Sequence, residues 1–181
     1  VGLFGMAGGN GTTIKNLGVV DSYFRGYTYI GSICGSFGQG SITNCYNAAT
    51  LSACDGGSRV GGICGNSYKS VIENCHNTGL VGESENNEEI WYGGICGYAE
   101  ENSMFRYCYN TGTISASGTT GGICGFVKNS NVSKCYNIGT VTTRGNGRYS
   151  SRENFGGISG TINNVTIENC YNAGYINTVA T

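Results

Sequence analysis

Apolar positions along this chain do not recur at spacings of three and four residues, and Gly-Gly pairs interrupt the segments that could otherwise form helical turns. What recurs instead is a block of about 30 residues. Its first motif reads Gly31-Ser32-Ile33-Cys34-Gly35, Gly61-Gly62-Ile63-Cys64-Gly65, Gly93-Gly94-Ile95-Cys96-Gly97, Gly121-Gly122-Ile123-Cys124-Gly125 and Gly156-Gly157-Ile158-Ser159-Gly160, with Val1-Gly2-Leu3-Phe4-Gly5 as a variant at the start. A second motif follows: Asn44-Cys45-Tyr46-Asn47, Asn74-Cys75-His76-Asn77, Tyr107-Cys108-Tyr109-Asn110, Lys134-Cys135-Tyr136-Asn137 and Asn169-Cys170-Tyr171-Asn172. The first copy keeps only Asn16-Leu17 of it.

Beyond the second motif stand Gly79, Gly112, Gly139 and Gly174, and then β-favouring segments such as Thr113-Ile114-Ser115 and Thr140-Val141-Thr142. Each copy therefore predicts three short strands bounded by Gly or Asn. No copy can bury its apolar face alone, whereas stacked copies form a continuous core. The expected fold is all-β: a parallel β-solenoid of about six rungs, forming one domain over 1–181 with rungs near 1–29, 30–59, 60–91, 92–119, 120–154 and 155–181. Because the first residues already belong to a repeat, the sequence reads as a fragment of a longer chain.

Stacking puts like residues above one another. Ile14, Ile42, Ile72, Phe105, Val132 and Ile167 form an inward column, and Lys15, Thr43, Glu73, Arg106, Ser133 and Glu168 the adjacent water-facing one. Asn47, Asn77, Asn110, Asn137 and Asn172 read as a ladder at a corner, where Asn tolerates left-handed backbone and its amide bonds the copies above and below. A row of ligand-binding surface amides is the alternative.

Composition narrows the picture. The 33 glycines without a proline suit many tight turns between short strands. Ten Lys and Arg against eleven Asp and Glu leave a net charge of −1, so there is no basic field for a nucleic-acid partner. No apolar run has the length of a membrane span.

The series Gly-Gly-Ile-Cys-Gly, then Ile-x-Asn-Cys-Tyr-Asn-x-Gly, then a Thr-Val or Thr-Ile strand resembles the GLUG repeat along essentially the whole chain. These repeats occur in large secreted or surface-attached bacterial proteins, among them adhesin-like proteins and non-catalytic regions of immunoglobulin A-cleaving metallopeptidases. The resemblance implies an extracellular or cell-surface bacterial location. Cysteine stands here where those repeats more often carry Val in the first motif and Ser in the second.

Four copies carry matched cysteines: Cys34 with Cys45, Cys64 with Cys75, Cys96 with Cys108, and Cys124 with Cys135. Bridges within a rung, bridges between rungs and free thiols packed as small apolar groups all remain open. Bridges within a rung need a bend, because neighbours such as Ile63 and Cys64 cannot both point inward on a regular strand. Ser159 opposite Cys170 breaks the pairing, and Cys54 lies outside both columns. The even spacing, without a Cys-x-x-Cys pair, is unlike zinc or iron–sulfur sites, so no cofactor or metal is expected.

An active site is hard to assemble. His76 is the single histidine and occupies the Tyr46, Tyr109, Tyr136 and Tyr171 column, so it reads as a repeat variant. Asp21 and Asp55 stand in different turns, without the carboxylate neighbours of polysaccharide-cleaving solenoids. The expectation is a non-enzymatic protein.

Two insertions depart from the even spacing: one with Glu83, Glu85, Glu88 and Glu89 leading into Trp91 and Tyr92, the other with Arg144, Arg148, Tyr149 and Arg152. Both should leave the same corner two rungs apart, about 10 Å. They read either as a recognition surface for a protein or glycan ligand or as loops that neutralise each other. The expected role is a rigid spacer or adhesive segment, with substrate positioning for a secreted metallopeptidase and polysaccharide binding or cleavage as alternatives. Unpaired end rungs predict flanking domains or end-to-end self-association.

Overall fold

The computed structural model describes residues 1–54, 59–82, 90–145 and 154–180. Every strand pairing among them is parallel and links successive copies of the repeat, so the protein is a β-solenoid. The third copy shows the unit: Arg59–Gly61, Cys64–Tyr68, Val71–Glu73, His76–Asn77 and Val81–Gly82. These are five short strands, where the sequence pattern predicts three. The two missed kinds are the His76–Asn77 pair, too short to show alternation, and Arg59–Gly61, whose first two residues vary from copy to copy while the Gly stays.

Stacking gives four sheets. The Tyr46–Asn47 strands and the Thr50–Ala53 strands each build a six-stranded sheet, the Tyr29–Gly31 strands a five-stranded one. A ten-stranded sheet has two wings, which later copies separate by a corner after Tyr68 and which the second copy runs as one strand, Cys34–Thr43. Pairing is residue on like residue: Ile14, Ile42, Ile72, Phe105, Val132 and Ile167 fall in one register, with Lys15 to Glu168 beside them.

The interior is divided. One core holds the first-motif isoleucines, both main cysteine columns and the Ile14 to Val132 column. The other holds Ile30, Leu51, Val60, Val81, Ile90, Tyr92, Ile114 and Val141. Between them runs a waist in which Gly62, Gly94, Gly122 and Gly157 lie against the Asn ladder: a methyl on Gly94 would meet Asn110 Cβ and Cγ at 2.7 Å. Ile63 and Cys64 are both fully buried because the chain bends between Gly61 and Cys64.

The Asn ladder runs unbroken, each Nδ2 donating to the next Oδ1 from Asn47 to Asn77, Asn110, Asn137 and Asn172 at 2.7–2.8 Å. At Asn77, Asn110 and Asn137 the second amide proton goes to the carbonyl two residues on, and Oδ1 accepts that residue's N–H, so the whole amide is bonded. Left unsatisfied, such a buried group costs about 1–3 kcal/mol.

The ladder is not the left-handed corner the sequence suggests. That conformation lies three residues earlier, at Asn16, Asn44, Asn74, Tyr107, Lys134 and Asn169, with a second series at Gln39, Lys69, Asn102, Asn129 and Asn164. Asn suits it because a short polar side chain bonds locally; other residues lose about 1–2 kcal/mol there. Among the described glycines only Gly8, Gly9 and Gly11 have positive φ. Most of the repeated glycines serve close approach instead. A methyl on Gly93 would lie 2.0 Å from the Cys96 carbonyl oxygen and 2.8 Å from that of Ile123, both backbone atoms.

Gly93→Ala is therefore expected to destabilise the fold by about 3 kcal/mol, the upper range of overpacking. Urea denaturation followed by circular dichroism checks it; an unchanged midpoint would show that the rungs can part at this point.

Candidate functional site

The cysteines form two axial columns, Cys34, Cys64, Cys96 and Cys124 in register at the first motif, and Cys45 to Cys170 at the second. All ten cysteines are free thiols, and none of the four matched pairs within a rung is bridged. Eight of the ten thiols have a local acceptor. In the first column Cys34, Cys64 and Cys96 donate to the carbonyl two residues ahead, as Cys64 to Asn66 at 2.9 Å, and second-column sulfurs donate to the carbonyl two residues behind, as Cys75 to Glu73 at 3.2 Å. Ser159 Oγ makes the first-column bond to Thr161 at 3.0 Å, which explains why Ser can replace Cys there.

Burial pushes the Cys34 thiol up to about 12 and raises Cys64, Cys96 and Cys124. Burial raises Cys108, while the Cys108 thiol, as hydrogen-bond partner, lowers Cys75 and Cys135 on either side of it. Among the described residues no three His, Cys, Asp or Glu side chains come together to hold a metal ion.

The Tyr46 column is a continuous ring stack. Tyr46, His76, Tyr109, Tyr136 and Tyr171 lie with centroids 4.7–5.3 Å apart and planes within 9°. Tyr46 in turn covers Gly18, where an added methyl would strike its ring. Ring faces needed to stack on a sugar are thus occupied by neighbouring rings. Burial between Tyr46 and Tyr109 lowers the His76 pKa.

Of the recognition surface expected at the inserted loops, Glu83, Glu85, Glu88, Glu89, Arg148, Tyr149 and Arg152 lie outside the described residues, and Arg144 is described only as backbone, paired with Val179. The strands flanking the insertions do leave the same corner, with one copy between them. Tyr92 does not belong to a surface: it is fully buried in the second core, because strand alternation turns it inward when its neighbour Trp91 faces out.

Trp91 joins a cluster that sequence reading missed. Its ring meets Tyr98 and Phe126 edge-on at 5.3 and 6.2 Å, and those two stack at 5.0 Å. The Arg59 guanidinium sits 3.9 Å over Tyr98, within 5.3 Å of Tyr29 and 5.7 Å of Trp91, and donates to Asn66 Oδ1. Arg59 and Asn66 are outward residues on two different sheets, so their contact makes the outer surface concave at the waist. The available signal was that Arg59, Tyr98 and Phe126 all stand at positions flanking the first motif, on one side or the other of its bend. With Arg59 bonded to Asn66 and packed over Tyr98, the cluster locks two sheets together and offers one partly covered aromatic surface.

The GLUG motif matches residues 56–82, the third copy of the repeat. The other copies stack on it strand for strand, consistent with a GLUG repeat region. No curated protein and no solved structure matches the chain.

Two outcomes follow from this geometry. His76 folds best as the neutral imidazole, while the unfolded chain takes up a proton near pH 6.5. Thermal stability should therefore fall as pH drops below about 6.5, and His76→Tyr, which restores the column residue, should remove that component. Parallel melting curves of both proteins between pH 7.5 and 5 check it. Iodoacetamide should label only the half-buried Cys54 and Cys170 in the native protein, and all ten cysteines after denaturation without reductant, read by intact mass.

Proposed function

We propose that this chain is a non-catalytic structural segment of a secreted or cell-surface bacterial protein, a rigid spacer that serves adhesion by holding loops out at one corner. The observation that carries the reading is the unbroken, largely bonded Asn ladder, joined by stacked rings and thiols along the same axis. The ladder amides and the rings of the Tyr46 column are engaged in holding rung to rung. The GLUG match and the solenoid support a structural repeat. Exposed Leu3, Phe4 and Met6 at one end and Ile162, Tyr171 and Tyr175 at the other suit a neighbouring domain or a second copy stacked on each face.

A spacer built this way yields to force one rung at a time. Pulling the chain from its two ends should give repeated extensions of about 100 Å, the length of about 30 extended residues. A single all-or-none extension would show that the rungs do not act as separate mechanical units. Location is tested on intact source cells, where an antibody to the folded domain should bind without permeabilisation; labelling only after permeabilisation would exclude a surface role.

A further inference from the structure

The outer face of the second wing of the long sheet carries a groove of about 300 Å³ across the fourth to sixth copies, at the small end of ligand pockets. Register creates it. In one column Asn131 stands between Met104 and Thr166, and in the next Ser133 stands between Arg106 and Glu168. The short Asn131 and Ser133 are the floor, Met104 and Arg106 rise at one end and Glu168 at the other.

The side wall is formed by Tyr107 and Lys134. Lys134 Nζ donates to the Tyr107 hydroxyl at 3.0 Å and lies 5.0 Å from its ring centroid. Both residues hold left-handed backbone at the corner where the other four copies place Asn16, Asn44, Asn74 and Asn169. Tyr and Lys are poorer choices than Asn for that backbone. In this series the departure from Asn falls only at the two corners that line the groove, while Gln39 and Lys69 depart from it in the second series.

The lining offers donors at one end and an acceptor at the other. Arg106 is held from outside the groove by Glu73, Nη2 donating to Oε2 at 2.9 Å while Nε lies 2.9 Å from Oε1 without the alignment of a hydrogen bond. Among the described residues, no hydrogen bond uses the side chains of Asn131, Ser133, Thr166 or Glu168. Backbone groups in these strands are bonded to neighbouring rungs, as Met104 N–H to Ser70 and Asn131 N–H to Ser103, so a peptide cannot add as a strand here. The groove has no deep apolar pocket for a peptide anchor either. Hydroxyls, which donate and accept at once, match the lining, and Tyr107, 45% exposed, can lie against the apolar face of a sugar ring.

We propose that this groove binds one or two pyranose rings of a saccharide, Tyr107 packing on a ring and Arg106, Lys134, Ser133, Asn131 and Glu168 bonding its hydroxyls. The site stands independently of the spacer reading, since a spacer needs no such groove and the groove needs no mechanical role.

The test is titration of the whole chain with a panel of soluble neutral and uronic-acid disaccharides, with a mixed-sequence hexapeptide as control, followed by amide resonances. At least one disaccharide should bind saturably and shift residues within 104–107, 131–134 and 166–168. Tyr107→Asn and Lys134→Asn restore the residue of the other corners, so each should raise the unfolding midpoint while weakening that saccharide at least tenfold. The proposal is overturned if no disaccharide binds, if shifts fall elsewhere, if both variants bind like the parent chain, or if only the hexapeptide binds.

Discussion

Everything in this molecule depends on like residues stacking in register along one axis. A parallel solenoid rung cannot shift relative to the next without turning an apolar column toward water, and the buried Asn ladder adds a second penalty, because any slip breaks amide bonds that no water can replace. The ladder also explains the waist. Asn side chains need a flat surface to pack on, and a column of Gly without Cβ atoms supplies one. The division into two cores follows from that one contact.

Register has a cost in freedom for inward residues and leaves outward ones nearly unconstrained. A change at Ile72 or Asn110 disturbs three rungs, whereas Ser133 can stand between Arg106 and Glu168 without disturbing any backbone bond. Function on such a scaffold is therefore expected where outward columns depart from their own pattern. The departures at Tyr107 and Lys134 shape a groove, and those at Arg59, Trp91, Tyr98 and Phe126 fill the waist with aromatic rings. The Tyr46 column, by contrast, keeps to its pattern, and its rings are consumed by one another.

The cysteine columns obey the same logic. A thiol is small, apolar enough for the core and able to donate to a carbonyl two residues away, and both columns use all three properties. The bond made by Ser159 in the same position shows that the requirement is for a small donor, with no need for a sulfur partner in the rung. Within the second column Cys75 lies beside Cys108 of the next rung, because the axial repeat brings like residues together, and the Cys108 thiol lowers the Cys75 pKa.

The sequence by itself determined the period, the β class, the inward and outward columns and the existence of the Asn ladder, because each is a property of one copy repeated and stacking preserves it. It determined for the same reason that the strands flanking the two insertions stack in one register. Only the tertiary structure decided what lies between columns. It turned Tyr92 into the core while Trp91 stayed outside, moved the left-handed backbone from Asn47 and its equivalents to Asn44 and its equivalents, and set the glycines to close approach in place of turning. The Arg59 cluster left in the sequence only the placement of Arg59, Tyr98 and Phe126 beside the first motif, and the groove only the departure from Asn at Tyr107 and Lys134, because both depend on contacts between sheets or on differences in side-chain length across rungs, which leave no periodic signal along the chain.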